Sequence, residues 1–154
     1  MRIIGGKLKN KKLHFPENLK TRPLKDSVRE NIFNILSHSN SIDIDIKDSS
    51  VLDLYAGTGS FGLECVSREA SKVTFVENDL DALKSLEKNI KNIDSENKTI
   101  LLTRDVIEFF NNLTLELHKE NFNIIFLDPP YQDKKFIEII EIIKKKGMLS
   151  KKHI

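Results

Sequence analysis

The sequence contains a single cysteine, Cys65, and no apolar run that approaches the roughly 20 residues needed to cross a bilayer. One cysteine excludes an internal disulfide and favours a reducing compartment. The amino terminus also lacks the long apolar stretch of a signal peptide. We therefore expect a cytoplasmic protein without a membrane contact, and its 154 residues suit one domain with one core.

Charge is distributed unevenly along the chain, although the net charge is only +2. Residues 1–25 contain eight lysines or arginines and one acid, a net of +7. Residues 26–154 contain 17 basic and 22 acidic residues, a net of −5. A basic segment on an acidic body is typical of proteins that bind nucleic-acid phosphates, and a solvated lysine-rich tail explains the same charge equally well.

The first 50 residues are predicted to form a small hairpin, a loop, one helix and a linker. Residues 2–9 and 12–15 flank Asn10-Lys11 and indicate two short paired strands, which Pro16 ends. Ser27-Val28-Arg29-Glu30 matches a capping box, and the apolar positions after it predict a helix to about Ser37. A polar linker is predicted over residues 39–50.

From residue 51 onward, strands alternate with helices. Continuous apolar stretches predict strands at 51–55, 72–77, 99–103 and 123–128. Helices are predicted from the glycine loop to about residue 68 and over 81–91, 106–113 and 134–146, the last with Gly147 at its end. This alternation implies a doubly wound α/β fold, whose mostly parallel sheet is covered on both faces.

A glycine motif, Gly57-Thr58-Gly59-Ser60-Phe61-Gly62, lies between the first of these strands and its helix. Glu77 follows Gly57 by 20 residues, at the end of the next strand. This spacing is typical of nucleotide-cofactor sites, where glycines allow a close approach to the ligand and the acid accepts hydrogen bonds from ribose hydroxyls. The alternatives are a tight turn at the glycines and a solvent-facing Glu77.

Asp53 helps to distinguish between two possible cofactors. It lies four residues before Gly57, where a carboxylate would repel the pyrophosphate of a dinucleotide. The α-ammonium and sulfonium of S-adenosylmethionine would instead be attracted, which disfavours an NAD-dependent enzyme. Asp105, after the third strand, suits the adenine amino group or, alternatively, a helix N-cap. The predicted cofactor-binding residues are Asp53, Tyr55, Gly57, Thr58, Gly59, Glu77 and Asp105.

Asp128-Pro129-Pro130-Tyr131 follows the fourth strand, at the sheet edge where open parallel sheets bind ligands. An exocyclic amine of a nucleic-acid base could donate to the Asp128 carboxylate and the Pro129 carbonyl, and the carboxylate would stabilise the positive charge that develops on methylation. Tyr131 could stack on a base removed from its helix. We predict all four residues to be catalytic and expect no metal. The alternative is a turn after a strand.

With these motifs, the sequence resembles the class I amino-methyltransferases that carry a D/N-P-P-Y/F motif. The front of the chain is similar to the bacterial 16S rRNA guanine-N2 methyltransferases, through Arg2-Ile3-Ile4-Gly5-Gly6-Lys7, Thr21-Arg22-Pro23 and Val28-Arg29-Glu30-Asn31-Ile32-Phe33-Asn34. The resemblance implies a Rossmann-like fold, S-adenosylmethionine as methyl donor, and guanine N2 of 16S rRNA, within a small-subunit particle, as the target of a monomeric enzyme.

The resemblance also implies two parts of the chain, a basic RNA-contacting hairpin and loop at 1–25 and a methyltransferase domain at 26–154. Candidate substrate-binding residues are Arg2, Lys7, Arg22 and Arg29. Arg22 and Arg29 would lie at the methionine end of the cofactor pocket or at RNA phosphates, and surface ion pairs are the alternative for both. Family members continue through further strands, so we expect about 30 more residues beyond Ile154.

Two other functions remain open. An adenine-N6 or cytosine-N4 DNA methyltransferase would use the same tetrapeptide, but it usually needs a sizeable target-recognition region. A non-catalytic RNA-binding assembly module could share the fold, but it would have no need of an intact Asp128-Pro129-Pro130-Tyr131.

Overall fold

The computed structural model describes residues 1–16, 24–39, 42, 44–112, 120–130 and 135–154. Within these residues, five helices and four strands alternate from residue 26 onward, in the predicted order. They are α1 (Asp26–His38), β1 (Ser50–Leu54), α2 (Ser60–Ser67), β2 (Lys72–Glu77), α3 (Leu80–Asn92), β3 (Thr99–Thr103), α4 (Val106–Asn111), β4 (Ile124–Leu127) and α5 (Phe136–Lys145), with a short 3-10 turn at Glu96–Lys98.

The four strands form one parallel sheet in the order β3-β2-β1-β4. Side chains alternate between its two faces, because successive residues of a strand point in opposite directions. Val51 and Phe75 pack in one apolar cluster, and Leu52 and Val76 pack in the other. The predicted parallel sheet with helices on both faces is therefore confirmed.

The strand order reverses at β1, which has β2 on one side and β4 on the other. Open parallel sheets bind ligands at such a switch point, in the crevice beyond the carboxyl ends of the strands. Leu54 pairs with Leu127 at the last register position of β1 and β4. The residues that follow these two strands are therefore neighbours at the crevice.

The predicted hairpin is present, but it is shorter than the predicted strands at 2–9 and 12–15. Ile3 N donates to Lys11 O at 3.0 Å, Asn10 N to Ile3 O at 2.9 Å and Leu13 N to Met1 O at 3.0 Å, so antiparallel pairing joins residues 1–3 to residues 10–13. The chain turns between them, because Gly6 has a φ of 73° and Lys7 N donates to Ser67 O of α2 at 2.8 Å. Docking onto α2 takes the place of a longer strand pair.

Two further predictions for the first 50 residues need correction. The capping box does not form, since the N-cap of α1 is Lys25, which makes no side-chain capping bond. The linker at 39–50 is not simply polar, because Ile46 is buried and Ile42 and Ile44 pack against the core. The alternation of isoleucines with polar residues was the signal for this packing.

The end of the chain lies beside β4. Ile154 N donates to Asn123 O at 2.8 Å, and Ile125 N donates to Ile154 O at 2.9 Å. Gly147 has a φ of 64° just after α5, as predicted for a helix end. No helix within the described ranges has both the length and the apolar character needed to cross a membrane.

Candidate functional site

The carboxyl ends of three adjacent strands bring acidic side chains together. Asp53 is the penultimate residue of β1, Glu77 is the last residue of β2, and Asp128 follows β4. The negative charges of Glu77 and Asp128 both raise the pKa of Asp53, so both groups lie near enough to act on that carboxyl group. All three residues therefore lie at the carboxyl edge of the sheet, as the motif spacing predicted.

Asp53 is buried, with 1% of its surface exposed. Its Oδ2 accepts a hydrogen bond from Gly62 N at 3.0 Å, which fixes the first turn of α2. Burial raises the pKa of Asp53 well above the ordinary aspartate value, the two neighbouring carboxylates raise it further, and the Gly62 bond opposes them. A cation bound nearby would offset this unfavourable charge, which fits an ammonium or sulfonium ligand.

Glu77 holds the glycine loop in place. Its Oε2 accepts from Gly57 N at 2.6 Å, and its Oε1 accepts from Asn78 N and Asp79 N at 2.8 Å each. The side chain is 8% exposed, so it does not simply face solvent. A role as a loop clamp was not foreseen from the sequence, and the predicted contact with ribose hydroxyls stays a prediction.

The loop after β1 contains three residues with left-handed backbone conformations. Tyr55 has a φ of 58°, Gly57 of 57° and Gly59 of 81°. Glycine adopts this conformation readily, whereas tyrosine does so at a cost of about 1 kcal/mol or more. The backbone therefore turns tightly at Gly57 and Gly59, and the predicted approach of a ligand to these glycines stays a prediction.

The glycines of the motif differ in what surrounds them. A Cβ at Gly59 would overlap the Leu86 side chain, and one at Gly62 would overlap the ring of Phe75. These two glycines allow close packing of the loop and of α2. A Cβ at Gly57 would meet nothing within 4 Å, so this position faces open space where a ligand can approach the backbone.

Thr58 is held by a residue that sequence reasoning missed. Its carbonyl oxygen accepts from Asn89 Nδ2 at 3.0 Å, and both residues are buried. The signal was present, because Asn89 lies on the apolar stripe of α3 with Leu86 and Ile90. A polar residue at a core position is satisfied by specific partners.

Asp105 is the N-cap of α4. Its Oδ1 accepts from Ile107 N at 2.8 Å and from Glu108 N at 3.3 Å. Asp105 therefore caps α4, which was the alternative interpretation of this residue. Its contact with an adenine amino group stays a prediction.

The tetrapeptide after β4 is described in part, since Tyr131 lies outside the described residues. Asp128 and Pro130 are exposed and Pro129 is half-buried. Partial desolvation at the sheet edge raises the pKa of Asp128, although the side chain still reaches solvent. The carboxylate is accessible to a substrate that enters the crevice.

The four candidate substrate-binding residues have different environments. Arg2 and Lys7 are exposed, and Lys7 Nζ pairs with Glu69 Oε1 at 2.7 Å. Arg22 lies outside the described residues. Arg29 has no exposed surface, and its guanidinium donates to Arg2 O at 2.7 Å. A side chain without exposed surface does not reach an RNA phosphate, so this structure gives Arg29 a supporting role and corrects that assignment.

Away from this site, the described residues contain a cleft but no candidate metal site. Within those residues, no group of three His, Cys, Asp or Glu side chains could hold a metal ion. A cleft of about 400 Å³ lies beside the end of α1, and no predicted site residue lines it. The lining residues are Leu36, Ser37, Ile42, Ile44, Asp45, Ile46 and Arg68.

Comparison with known proteins gives matches over nearly the whole chain. The family model described as conserved hypothetical protein 95 matches residues 1–154. The rRNA methyltransferase candidate YlbH of Bacillus subtilis is 32% identical, covering 97% of this chain and 77% of that protein. Ribosomal RNA small subunit methyltransferase D of Escherichia coli is 32% identical, covering 97% of this chain and 70% of that protein. The solved structure of yhhF, a methyltransferase candidate of Escherichia coli, superposes with a TM-score of 0.79 at 30% identity and covers 97% of this chain and 75% of that one.

Proposed function

We propose that this chain, which belongs to the conserved hypothetical protein 95 family, is an S-adenosylmethionine-dependent methyltransferase of small-subunit rRNA. The relatives named as rRNA methyltransferases match almost its full length. The observation that carries the proposal is the Asp128-Pro129 pair at the end of β4, beside the strand that leads into the glycine loop.

The cofactor would lie over the open side of the glycine loop. Gly57 leaves room for its approach, and the acidic groups of Asp53 and Glu77 suit a ligand that carries positive charge and no phosphate. Asp105 would lie at the adenine end. S-adenosylmethionine supplies a methyl group on a sulfonium, which is already a good leaving group.

The residues of the chain would position the nucleophile. The lone pair of an exocyclic amine is delocalised into its ring, so alignment limits its reactivity. The Asp128 carboxylate and the Pro129 carbonyl would accept hydrogen bonds from the two N–H groups of the amine and direct the nitrogen lone pair toward the methyl group of the cofactor. The same carboxylate would stabilise positive charge on the nitrogen during transfer, and Tyr131 would stack on the base. In this mechanism the carboxylate, the carbonyl and the aromatic ring would hold the substrate, and we expect no metal.

The finer parts of the proposal follow the resemblance of the amino-terminal motifs. We take guanine N2 of 16S rRNA, in a small-subunit particle, as the target of a monomeric cytoplasmic enzyme. The exposed Arg2 and Lys7 belong to the basic segment and would contact RNA phosphates.

Labelled methyl transfer into small-subunit particles from cells that lack the enzyme tests this proposal. We expect transfer by the wild-type chain and a loss of at least about 100-fold with Asp128→Ala, because that carboxylate acts on developing charge. Asp128→Ala should bind S-adenosylhomocysteine as the wild type does, since the exposed carboxylate is not part of the glycine loop.

Glu87→Ala, at an exposed position on α3, is the control and should retain full activity. Transfer into duplex DNA instead of rRNA would contradict the proposed substrate. Equal turnover by Asp128→Ala would remove this residue from the mechanism while leaving the substrate assignment intact. Mass spectrometry of the labelled nucleoside then tests guanine N2.

A further inference from the structure

Two fully buried polar side chains join the N-terminal segment (residues 1–16) to the glycine loop and its flank. They are Asn89 on α3 and Arg29 on α1, and neither has exposed surface. Each is bonded to the backbone of the segment and also to the backbone at or beside the loop. Buried polar groups are costly unless they are paired, so such bridges hold their partners firmly.

Asn89 makes three hydrogen bonds in this bridge. Its Oδ1 accepts from His14 N at 2.6 Å, and its Nδ2 donates to His14 O at 3.0 Å and to Thr58 O at 3.0 Å. Among side chains, only the carboxamide of asparagine or glutamine supplies one acceptor oxygen and two N–H donors. The pairing with both backbone groups of His14 resembles the exchange between two strands, and it ties that residue to the centre of the loop.

Arg29 makes the second connection. Its Nη2 donates to Arg2 O at 2.7 Å and to Asp26 Oδ1 at 2.6 Å, and its Nη1 donates to Ser60 O at 3.4 Å. Ser60 is the first residue of α2 and follows Gly59 directly. The N-terminal segment is thus connected at Thr58, inside the loop, and at Ser60, just after it.

We propose that Asn89 is a positioning residue that couples the N-terminal segment to the glycine loop, so that RNA binding and cofactor binding strengthen one another. This rests on the proposed function, because it takes the segment as an RNA contact and the loop as the cofactor site. A displacement of His14 would move Asn89 and, through it, Thr58. Coupling between two binding sites is reciprocal, so a cofactor that orders the loop also orders the segment.

Calorimetric titration of the full chain with S-adenosylhomocysteine tests the coupling. The titration is done with and without saturating small-subunit particles from cells that lack the enzyme. We expect RNA to lower the Kd for S-adenosylhomocysteine at least about fivefold in the wild type, the lower end of usual coupling strengths. With Asn89→Ala the change should fall below about twofold, while circular dichroism shows a folded chain.

Asn92→Ala is a matched control on the same helix. Asn92 Nδ2 donates to Lys12 O at 3.0 Å, so it holds the same segment without a bond to the loop. This variant should retain the full fivefold change. If Asn89→Ala also retains it, the coupling does not pass through Asn89 and the proposal is overturned.

Hydrogen exchange of the wild type gives a measurement that needs no variant, should Asn89→Ala not fold. S-adenosylhomocysteine alone should slow the exchange of the His14 N–H, the donor to Asn89. Unchanged exchange there would overturn the proposal. A wild type that methylates small-subunit rRNA but shows equal Kd values with and without RNA would overturn the coupling and leave the proposed function standing. A wild type without rRNA methylation would overturn both.

Discussion

At the residue scale, Asp53 has two opposed effects on the molecule. Its bond from Gly62 N holds the start of α2, but its burial beside Glu77 and Asp128 disfavours its negative charge. A buried carboxylate that attracts a cationic ligand can serve binding although its charge lowers the stability of the unliganded protein. The charge and the hydrogen bond of Asp53 can be separated experimentally, because asparagine keeps an acceptor oxygen without the charge.

We predict that Asp53→Asn increases the free energy of unfolding at pH 7. The pKa of Asp53 is raised in the folded state, so the unfolded chain loses its proton first and stability falls as pH rises above about 4. Asparagine carries no charge, so Asp53→Asn removes this loss of stability. The gain is about 1.4 kcal/mol for each unit by which the pKa of Asp53 in the folded state exceeds its pKa in the unfolded state. Urea unfolding of both chains between pH 4 and pH 8 measures the effect.

The difference between the two chains should shrink as the pH falls to about 4, near the ordinary pKa of aspartate, because the unfolded chain then begins to hold the proton as well. Parallel stability curves over the whole range would contradict the raised pKa of Asp53. The same substitution should weaken S-adenosylhomocysteine binding, because the carboxylate no longer attracts the α-ammonium group. Asp81→Asn, at an exposed position in the first turn of α3, is the control for both measurements.

At the scale of elements, the N-terminal segment is fixed on α2 by polar bonds that the hydrophobic pattern does not show. Glu64 Oε2 accepts from Ile4 N at 2.8 Å. Ser67 Oγ donates to Gly5 O at 2.6 Å and accepts from Leu8 N at 2.9 Å. Both acceptor side chains are buried in α2, so the segment is part of the folded body and not a solvated tail.

Gly6→Ala should disrupt this docking. Gly6 has a φ of 73°, and a Cβ there would overlap the backbone oxygen of Ser67, which has little freedom to move within α2. We expect the free energy of unfolding to fall by about 2–3 kcal/mol, the sum of the left-handed strain and the steric overlap. Chemical denaturation measures this loss, and faster exchange of the Lys7 N–H, which donates to Ser67 O, locates it.

Gly147→Ala separates the two causes. Gly147 has a φ of 64°, close to that of Gly6, but a Cβ there would meet nothing within 4 Å. It should lose only about 1 kcal/mol, which is the left-handed strain alone. Equal losses in the two variants would mean that contact with α2 is not what requires glycine at position 6.

The elements were predictable from the sequence where the chain alternates buried strands and amphipathic helices. The bounds of β2 and β3 agree with the prediction, and the other two strands differ from it by one residue at each end. The hairpin is shorter than predicted and the capping box is absent, because tertiary contacts decided those regions. Lys7 N donates to Ser67 O of α2 and not to a facing strand. Helix α1 begins at Asp26, which pairs with Arg29, so Ser27 lies inside the first turn and is not the N-cap.

The positions of the candidate site residues in the fold were predictable from the sequence, but their contacts were not. The motif spacing brought Asp53, Glu77 and Asp128 to one edge, because parallel strands end there together. The partners of each carboxylate depend on backbone donors of a folded loop, which no spacing reveals. The same holds for Asn89, whose position in an apolar stripe predicts a buried partner without saying that this partner is Thr58.

At the scale of the whole molecule, the described part of the basic segment, residues 1–16, is docked on an acidic body. Net charge is +7 over residues 1–25 and −5 over the rest. Lys9 and Lys12 are exposed, and among the described residues neither pairs with an acid, in contrast to Lys7. Because the segment is docked and not free, its lysines present positive charge in a defined arrangement.

We predict that Lys9→Gln with Lys12→Gln lowers the salt dependence of RNA binding. Each lysine that contacts a phosphate contributes roughly 0.7 to 0.9 to the slope of log Kd against log salt concentration. The double variant should therefore lose about 1.5 of that slope, with weaker binding at low salt, when 16S rRNA is titrated at several potassium chloride concentrations. Lys144→Gln with Lys145→Gln removes the same charge from the exposed last turn of α5 and controls for net charge. If both double variants change the slope equally, net charge alone explains the binding. A loss confined to Lys9 and Lys12 assigns the RNA contact to the docked segment.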